Sequence, residues 1–321
     1  KGVWYPPFAA LFLFAVMLLF PAGLKGTVYQ LDITGPIESI TEEFVVESFD
    51  KINDDTAAKL VVIRMDTPGG ISTSMRTIIK KIMASRVPVA VYIYPKGAQA
   101  ASAGFLILIS SDIAAMAPGT NTGAAHPVSM TGKMDETMKE KVTNDAAAYA
   151  KSLAKSRNRN EEKAEAAVKN SHSYTAQECL DLHIIEYQAE SVADLLKQLE
   201  GKTVTRVNGD RTTLALEGEP VKILEMSGRQ KFLKTITNPS LAYFLLILGL
   251  LGLYLEFTHP GIIVPGVIGA ICLLLAFMAL QVLPVNYIGL MLIILSVGFF
   301  IAEVKIQGFG MFGIGGVIAF I

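Results

Sequence analysis

From Phe257 to Ala302 the chain contains no Asp, Glu, Lys or Arg. The core helix of a water-soluble protein does not sustain such a run. The hydrocarbon interior of a bilayer demands it, because one charge at a span centre costs about 2.5–3.5 kcal/mol. Backbone polar groups in hydrocarbon must be satisfied within the segment, so the run has to be helical. Leu241–Leu255, Ile262–Leu283 and Ile288–Ala302 read as spans, broken at Pro260-Gly261 and at Pro284-Val285-Asn286-Tyr287, and Gly310–Ile321 starts a fourth. Gly249, Gly252, Gly266, Gly269, Gly313 and Gly316 suit close helix approach. Residues 238–321 are therefore expected to form an all-α transmembrane bundle. A chain rarely stops inside a span, so a truncated C-terminal portion is expected to follow.

The 51% hydrophobic content is uneven, concentrated at residues 8–20 and from residue 240 onward. The first run, Phe8–Phe20 behind Lys1, is short for a span and fits either the apolar part of a signal peptide or an N-terminal anchor over residues 1–26. Either sends the following domain across the membrane, outside the cytoplasm. A net charge of −1 argues against nucleic acid as a partner. Cys179 and Cys272 fall in different regions and predict no disulfide, and the four histidines lack ligand spacing, so no metal or cofactor is expected.

Residues 27–200 read as α/β. Val28–Ile33, Leu60–Met65 and Val87–Tyr94 have strand length and apolar character. Between them, Phe44, Val45, Phe49 and Ile52, and then Met75, Ile78, Ile79 and Ile82, recur at helical spacing. Such alternation predicts a largely parallel sheet covered by helices. A long Ala- and Lys-rich helix is expected over about Asp135–Ala154. Residues 201–237 read as a β-ribbon and linker, with Asn208-Gly209 as the hairpin turn.

In Gly97-Ala-Gln-Ala-Ala-Ser-Ala-Gly104, a lone serine stands among small residues between a strand and an apolar helix. That is how a fold presents a nucleophile, with the helix N-terminus beside a developing anion. Asp66-Thr-Pro-Gly-Gly70 follows a strand and can aim N–H groups of Gly69 and Gly70 at a carbonyl oxygen, with Ala103 as a further donor. A serine also needs a base. Lys141 (or Lys139 in a shifted register) serves only if desolvation favours the neutral amine, whereas His126 needs no large shift but wants an orienting carboxylate.

Those segments, with Asn121-Thr-Gly-Ala-Ala-His-Pro127 and Tyr174-Thr-Ala-Gln-Glu178, resemble the Clp-protease and signal-peptide-peptidase-A superfamily. With the membrane tail, the whole chain is similar to long-form NfeD proteins. The resemblance implies a Clp/crotonase-like spiral of ββα units and a membrane-anchored serine endopeptidase. It also implies a Ser102–Lys141 dyad, since Lys141-Val-Thr-Asn144 stands where the family places its lysine. The Clp aspartate position corresponds to about Ser171, leaving His126 and Pro127 as substrate-groove residues. Implied partners are a hydrophobic segment of a stomatin-like membrane protein and further copies of the chain, as a dimer or higher oligomer. The alternative is a scaffold for a stomatin-like oligomer with weak or regulated protease activity. Acyl-CoA chemistry, known among crotonase relatives, is disfavoured by the membrane tail and the serine. A small OB-like barrel usually follows the last span in this family.

Overall fold

The computed structural model describes residues 26–129, 135–207, 209–259, 263–282, 287–305 and 310–320. The apolar run at Phe8–Phe20, Pro260-Gly261 and Pro284-Val285-Asn286 lie outside them. The chain divides into two compact units, one reaching Met226 and one built on Ser227 onward.

The first unit runs β1 (Thr27–Thr34), α1 (Ser39–Asp54), β2 (Ala58–Asp66), α2 (Ser72–Ala84), β3 (Val89–Ile93), β4 (Gln99–Ala101), α3 (Ala103–Ser110), β5 (Ile113–Met116) and β6 (Asn121–Gly123). It continues through α4 (Glu136–Ser156), α5 (Glu161–Lys169), β7 (Ser173–Thr175), α6 (Ala176–Asp181), β8 (Tyr187–Gln188), α7 (Val192–Leu199), β9 (Thr203–Thr205), β10 (Arg211–Thr213) and β11 (Val221–Leu224). Six strands form one sheet in the order β11-β1-β2-β3-β5-β8, and every neighbouring pair is parallel. A smaller sheet orders β4-β6-β7, and Thr67 bridges from the end of β2 to Ala100 of β4.

Strands buried on both faces read as continuous apolar runs, and β2 shows why. Val61, Ile63 and Met65 join the core under α1, α2 and α3, while Leu60 and Val62 point the other way, onto Leu195 and Leu199 of α7. Helix α3 is buried along its whole length, so it carries no polar stripe. Thr175 and Glu178 close a reciprocal capping box at the start of α6.

The stretch expected as ribbon and linker turns out differently. β9 and β10 do pair antiparallel. Val221–Leu224 then adds a sixth strand to the main sheet, parallel to β1, with Val221 opposite Val28 and Leu224 opposite Leu31. A four-residue strand between charged residues carries little local signal. Its pairing partner is remote in sequence, so only the tertiary fold reveals it.

The second unit contains α8 (Gly228–Ile236), α9 (Pro239–Thr258), α10 (Val264–Val282), α11 (Tyr287–Lys305) and α12 (Met311–Phe320). α9 and the Ile288–Lys305 stretch of α11 are long and apolar enough to cross a membrane, and the other two are shorter apolar helices. Their apolar side chains point outward: Ile247 is 66% exposed, Leu274 69% and Ile288 72%. Outward apolar surface of this extent suits a surrounding bilayer.

Candidate active site

Ser102 sits between β4 and α3 with φ 54° and ψ −115°, a conformation that costs a non-glycine residue about 1–3 kcal/mol. The surroundings impose it. Ser102 N–H donates to the Gly123 carbonyl at 2.9 Å, and the buried α3 fixes the chain that follows. Gly123 is itself held against β7, where a Cβ would lie 2.3 Å from the His172 carbonyl oxygen. The Ser102 hydroxyl has no hydrogen-bond partner among the described residues.

The Thr67–Gly70 loop lies against this serine. A Cβ on Gly69 would fall 2.6 Å from Ser102 Cβ and 3.1 Å from Oγ, and one on Gly70 would strike the Ile37 carbonyl oxygen at 2.2 Å. Buried Thr67 ties the loop to β4: its N–H donates to the Gln99 carbonyl at 2.7 Å, and its carbonyl accepts from Ala101 N–H at 3.0 Å. Thr67 Oγ1 also accepts the Gly69 N–H at 3.0 Å. Of the three expected oxyanion donors, Gly69 is therefore engaged within its own loop. The N–H groups of Gly70 and Ala103 carry no hydrogen bond among the described residues. Thr67 is a site residue that the sequence reading missed. Its signal was the threonine two residues before a glycine, the spacing of a side-chain-closed turn.

Lys141 lies near the start of α4, exposed, with no hydrogen bond or ion pair among the described residues. The structure does not place its amine within hydrogen-bonding distance of the Ser102 hydroxyl. One turn further along α4, Asp145 accepts from Arg76 at 2.7 Å, and the same guanidinium stacks 4.2 Å above the Tyr149 ring, which ties α4 to α2.

His126 is held elsewhere. Its Nδ1 lies 3.2 Å from the Val168 carbonyl oxygen, so that nitrogen donates, and the neighbouring Ala125 N–H donates to Ala167 at 2.8 Å. The loop carrying His126 and Pro127 is thus strapped to α5.

A second unanticipated cluster supports α3 from its far end. Arg159 donates from Nη1 to the carbonyls of Ile109 at 2.8 Å and Ser111 at 2.9 Å, and forks onto Glu186 with two 2.7 Å bonds. Arg157 donates to the Ser110 carbonyl at 2.8 Å and to Asp112 at 2.5 Å. Burial pushes the Arg157 guanidinium below its usual range, against the pull of Asp112. Cys179 is a free thiol, pushed up to about 12 by burial and so unreactive at neutral pH.

Comparison with known proteins agrees with this layout. The NfeD1b N-terminal domain profile matches residues 27–207, and the NfeD integral membrane domain profile matches residues 240–321. The membrane-bound protease PH1510 of Pyrococcus horikoshii is 39% identical over 313 residues, which cover 95% of this chain and 70% of that protein. Two solved structures of the 1510-N membrane-bound stomatin-specific protease also match, each 36% identical. A serine-to-alanine variant covers 63% of this chain and 99% of that one, with a TM-score of 0.58. A lysine-to-alanine variant in complex with a substrate peptide covers 66% and 98%, with a TM-score of 0.61. An α/β domain followed by an integral membrane unit is thus matched along nearly the whole chain, which belongs to the NfeD family of membrane-bound proteases.

Proposed function

We propose that Ser102 and Lys141 act as a Ser–Lys dyad that cleaves hydrophobic segments of a stomatin-like membrane protein. The observation that carries this reading is Ser102 itself, strained, without a hydroxyl partner among the described residues and packed against Gly69 of the Thr67–Gly70 loop. The relatives add support, since the stomatin-specific protease was studied both as a serine and as a lysine variant, the latter with a substrate peptide bound.

The neutral Lys141 amine takes the Ser102 proton as Oγ attacks the scissile carbonyl. Gly70 and Ala103 donate to the oxyanion, and Lys141 returns the proton to the leaving amine. Water then releases the acyl group from Ser102. In the free chain Lys141 is exposed, so its side chain has to travel to Ser102. A hydrophobic peptide lying over the first turns of α4 strips water from the amine and favours its neutral form.

Acylation by a serine-directed fluorophosphonate, and turnover of a hydrophobic peptide, test the base. Lys141→Ala is expected to lower both by about 10²–10⁴-fold, Lys139→Ala to leave them unchanged, and His126→Ala to lower them less than tenfold through the groove. The reverse ranking of Lys141 and His126 would make this a Ser–His enzyme.

The protease unit is further read as lying outside the cytoplasm, in a homo-oligomer. Arg229, Lys231 and Lys234, just before α9, run against the positive-inside tendency, but a long translocated domain overrides local charge. Protease added to intact spheroplasts is expected to cut within residues 27–237. Cleavage only after lysis would invert the topology.

A further inference from the structure

The membrane unit carries an internal repeat. Glu256 and Glu303 stand 47 positions apart, and so do Gly266 and Gly313, Gly269 and Gly316, and the segments Leu245–Leu248 and Leu292–Leu295. The contacts repeat with the sequence. A Cβ at Gly249 would meet the Gly269 carbonyl oxygen at 2.9 Å; at the matching positions, Ser296 donates to the Gly316 carbonyl at 2.7 Å. A Cβ at Gly252 would meet the Pro265 carbonyl oxygen at 2.5 Å, and the matching rings of Phe299 and Phe312 lie 6.2 Å apart. A Cβ at Gly266 would meet Glu256 Cγ at 2.8 Å, and Glu303 accepts from Gly313 N–H at 3.1 Å. The α9–α10 and α11–α12 hairpins are therefore two copies of one packing unit.

The copies leave a cleft of about 570 Å³ between α9 and α11. Its lining falls into repeat-matched pairs, including Leu253 with Phe300, Phe257 with Val304 and Thr258 with Lys305. Each copy thus presents the same face to the cleft. Leu241 and Leu290, near the two helix starts, pack on one cluster, so α9 and α11 run the same way and Thr258 and Lys305 share the far end. Lys305 is exposed and has no ion pair among the described residues.

The wall is largely apolar from Leu250 to Phe257 and ends at Thr258 and Lys305. An apolar slot between membrane helices suits acyl chains, and an exposed cation at its end suits a phosphate. We infer that the cleft between the two repeats binds one anionic phospholipid of the surrounding bilayer, with its acyl chains along α9 and α11 and its phosphate at Lys305.

Gly298 lines the cleft, and a Cβ there meets nothing within 4 Å, so a Gly298→Phe side chain leaves the helix without an immediate clash and enters the slot. The full chain in nanodiscs of equal phosphatidylglycerol and phosphatidylcholine, released for native mass spectrometry, is expected to retain one phosphatidylglycerol. Gly298→Phe should lower retention at least tenfold, and Lys305→Gln should abolish the preference for phosphatidylglycerol over phosphatidylcholine. In the wild type, phosphatidylglycerol with a photoreactive acyl chain should label α9 and α11 rather than α10 and α12. Undiminished retention in Gly298→Phe, an unchanged preference in Lys305→Gln, or labelling spread evenly over the four helices would each overturn the inference.

Discussion

Ser102→Ala is expected to lower peptide turnover by a factor on the order of 10⁴–10⁶ while the fold survives. The hydroxyl makes no hydrogen bond among the described residues, so its loss removes no structural contact and should change stability by no more than about 0.5 kcal/mol. Ser102→Gly separates the two roles of this position more sharply. Glycine adopts φ 54° without the side-chain clash that strains serine or alanine. The glycine variant should be equally inactive and melt at or above the wild-type temperature, the pattern of a site whose strain serves function. Turnover of a hydrophobic peptide and a thermal melt by circular dichroism decide the matter. Residual turnover in both purified variants would remove Ser102 from the mechanism.

Arg159→Met should be clearly destabilising to the protease unit. The Arg159 side chain is 2% exposed and bonds the Ile109 and Ser111 carbonyls as well as Glu186. Methionine keeps much of the volume but orphans those carbonyls and leaves Glu186 without its partner. Glu186 is 38% exposed and can be rehydrated, so the cost comes mainly from the buried carbonyls, about 1–3 kcal/mol for each one left unsatisfied, which in a unit of this size lowers the melting temperature by several degrees. Arg159→Lys should recover only part of the loss, because an ammonium cannot reproduce the planar fork. The consequence reaches the active site, since the carbonyls clamped by Arg159 end the helix that Ser102 begins. A melting temperature within a degree or two of wild type for Arg159→Met would show that α3 is held by its apolar packing alone.

The membrane unit illustrates how uneven legibility is within one region. Charge-free runs marked its helices, because hydrocarbon penalises every charge wherever the helix sits. The spacing that makes its two hairpins equivalent also lies in the sequence, yet its meaning came from contacts: Ser296 on Gly316 matches Gly249 against Gly269 only when both helix pairs are seen packed. The cleft between the copies depends on how four helices settle against one another, which no single periodicity encodes.

In the protease unit, the sequence by itself determined what depends on near neighbours. Apolar runs became the buried strands β1, β2 and β3. The 3.6-residue spacing of Phe44, Phe49 and Ile52 became α1, and small residues around Ser102 marked a strand-to-helix turn. Tertiary structure alone decided what depends on remote partners. It made Val221–Leu224 an edge strand beside β1. It spent the Gly69 N–H on Thr67, set two arginines under α3, strapped His126 to α5 and left Lys141 exposed on α4. The physical reason is range. Periodicity and turn chemistry act within a few residues and are written locally, whereas parallel pairing and a buried guanidinium's choice of carbonyls exist only once the chain has closed.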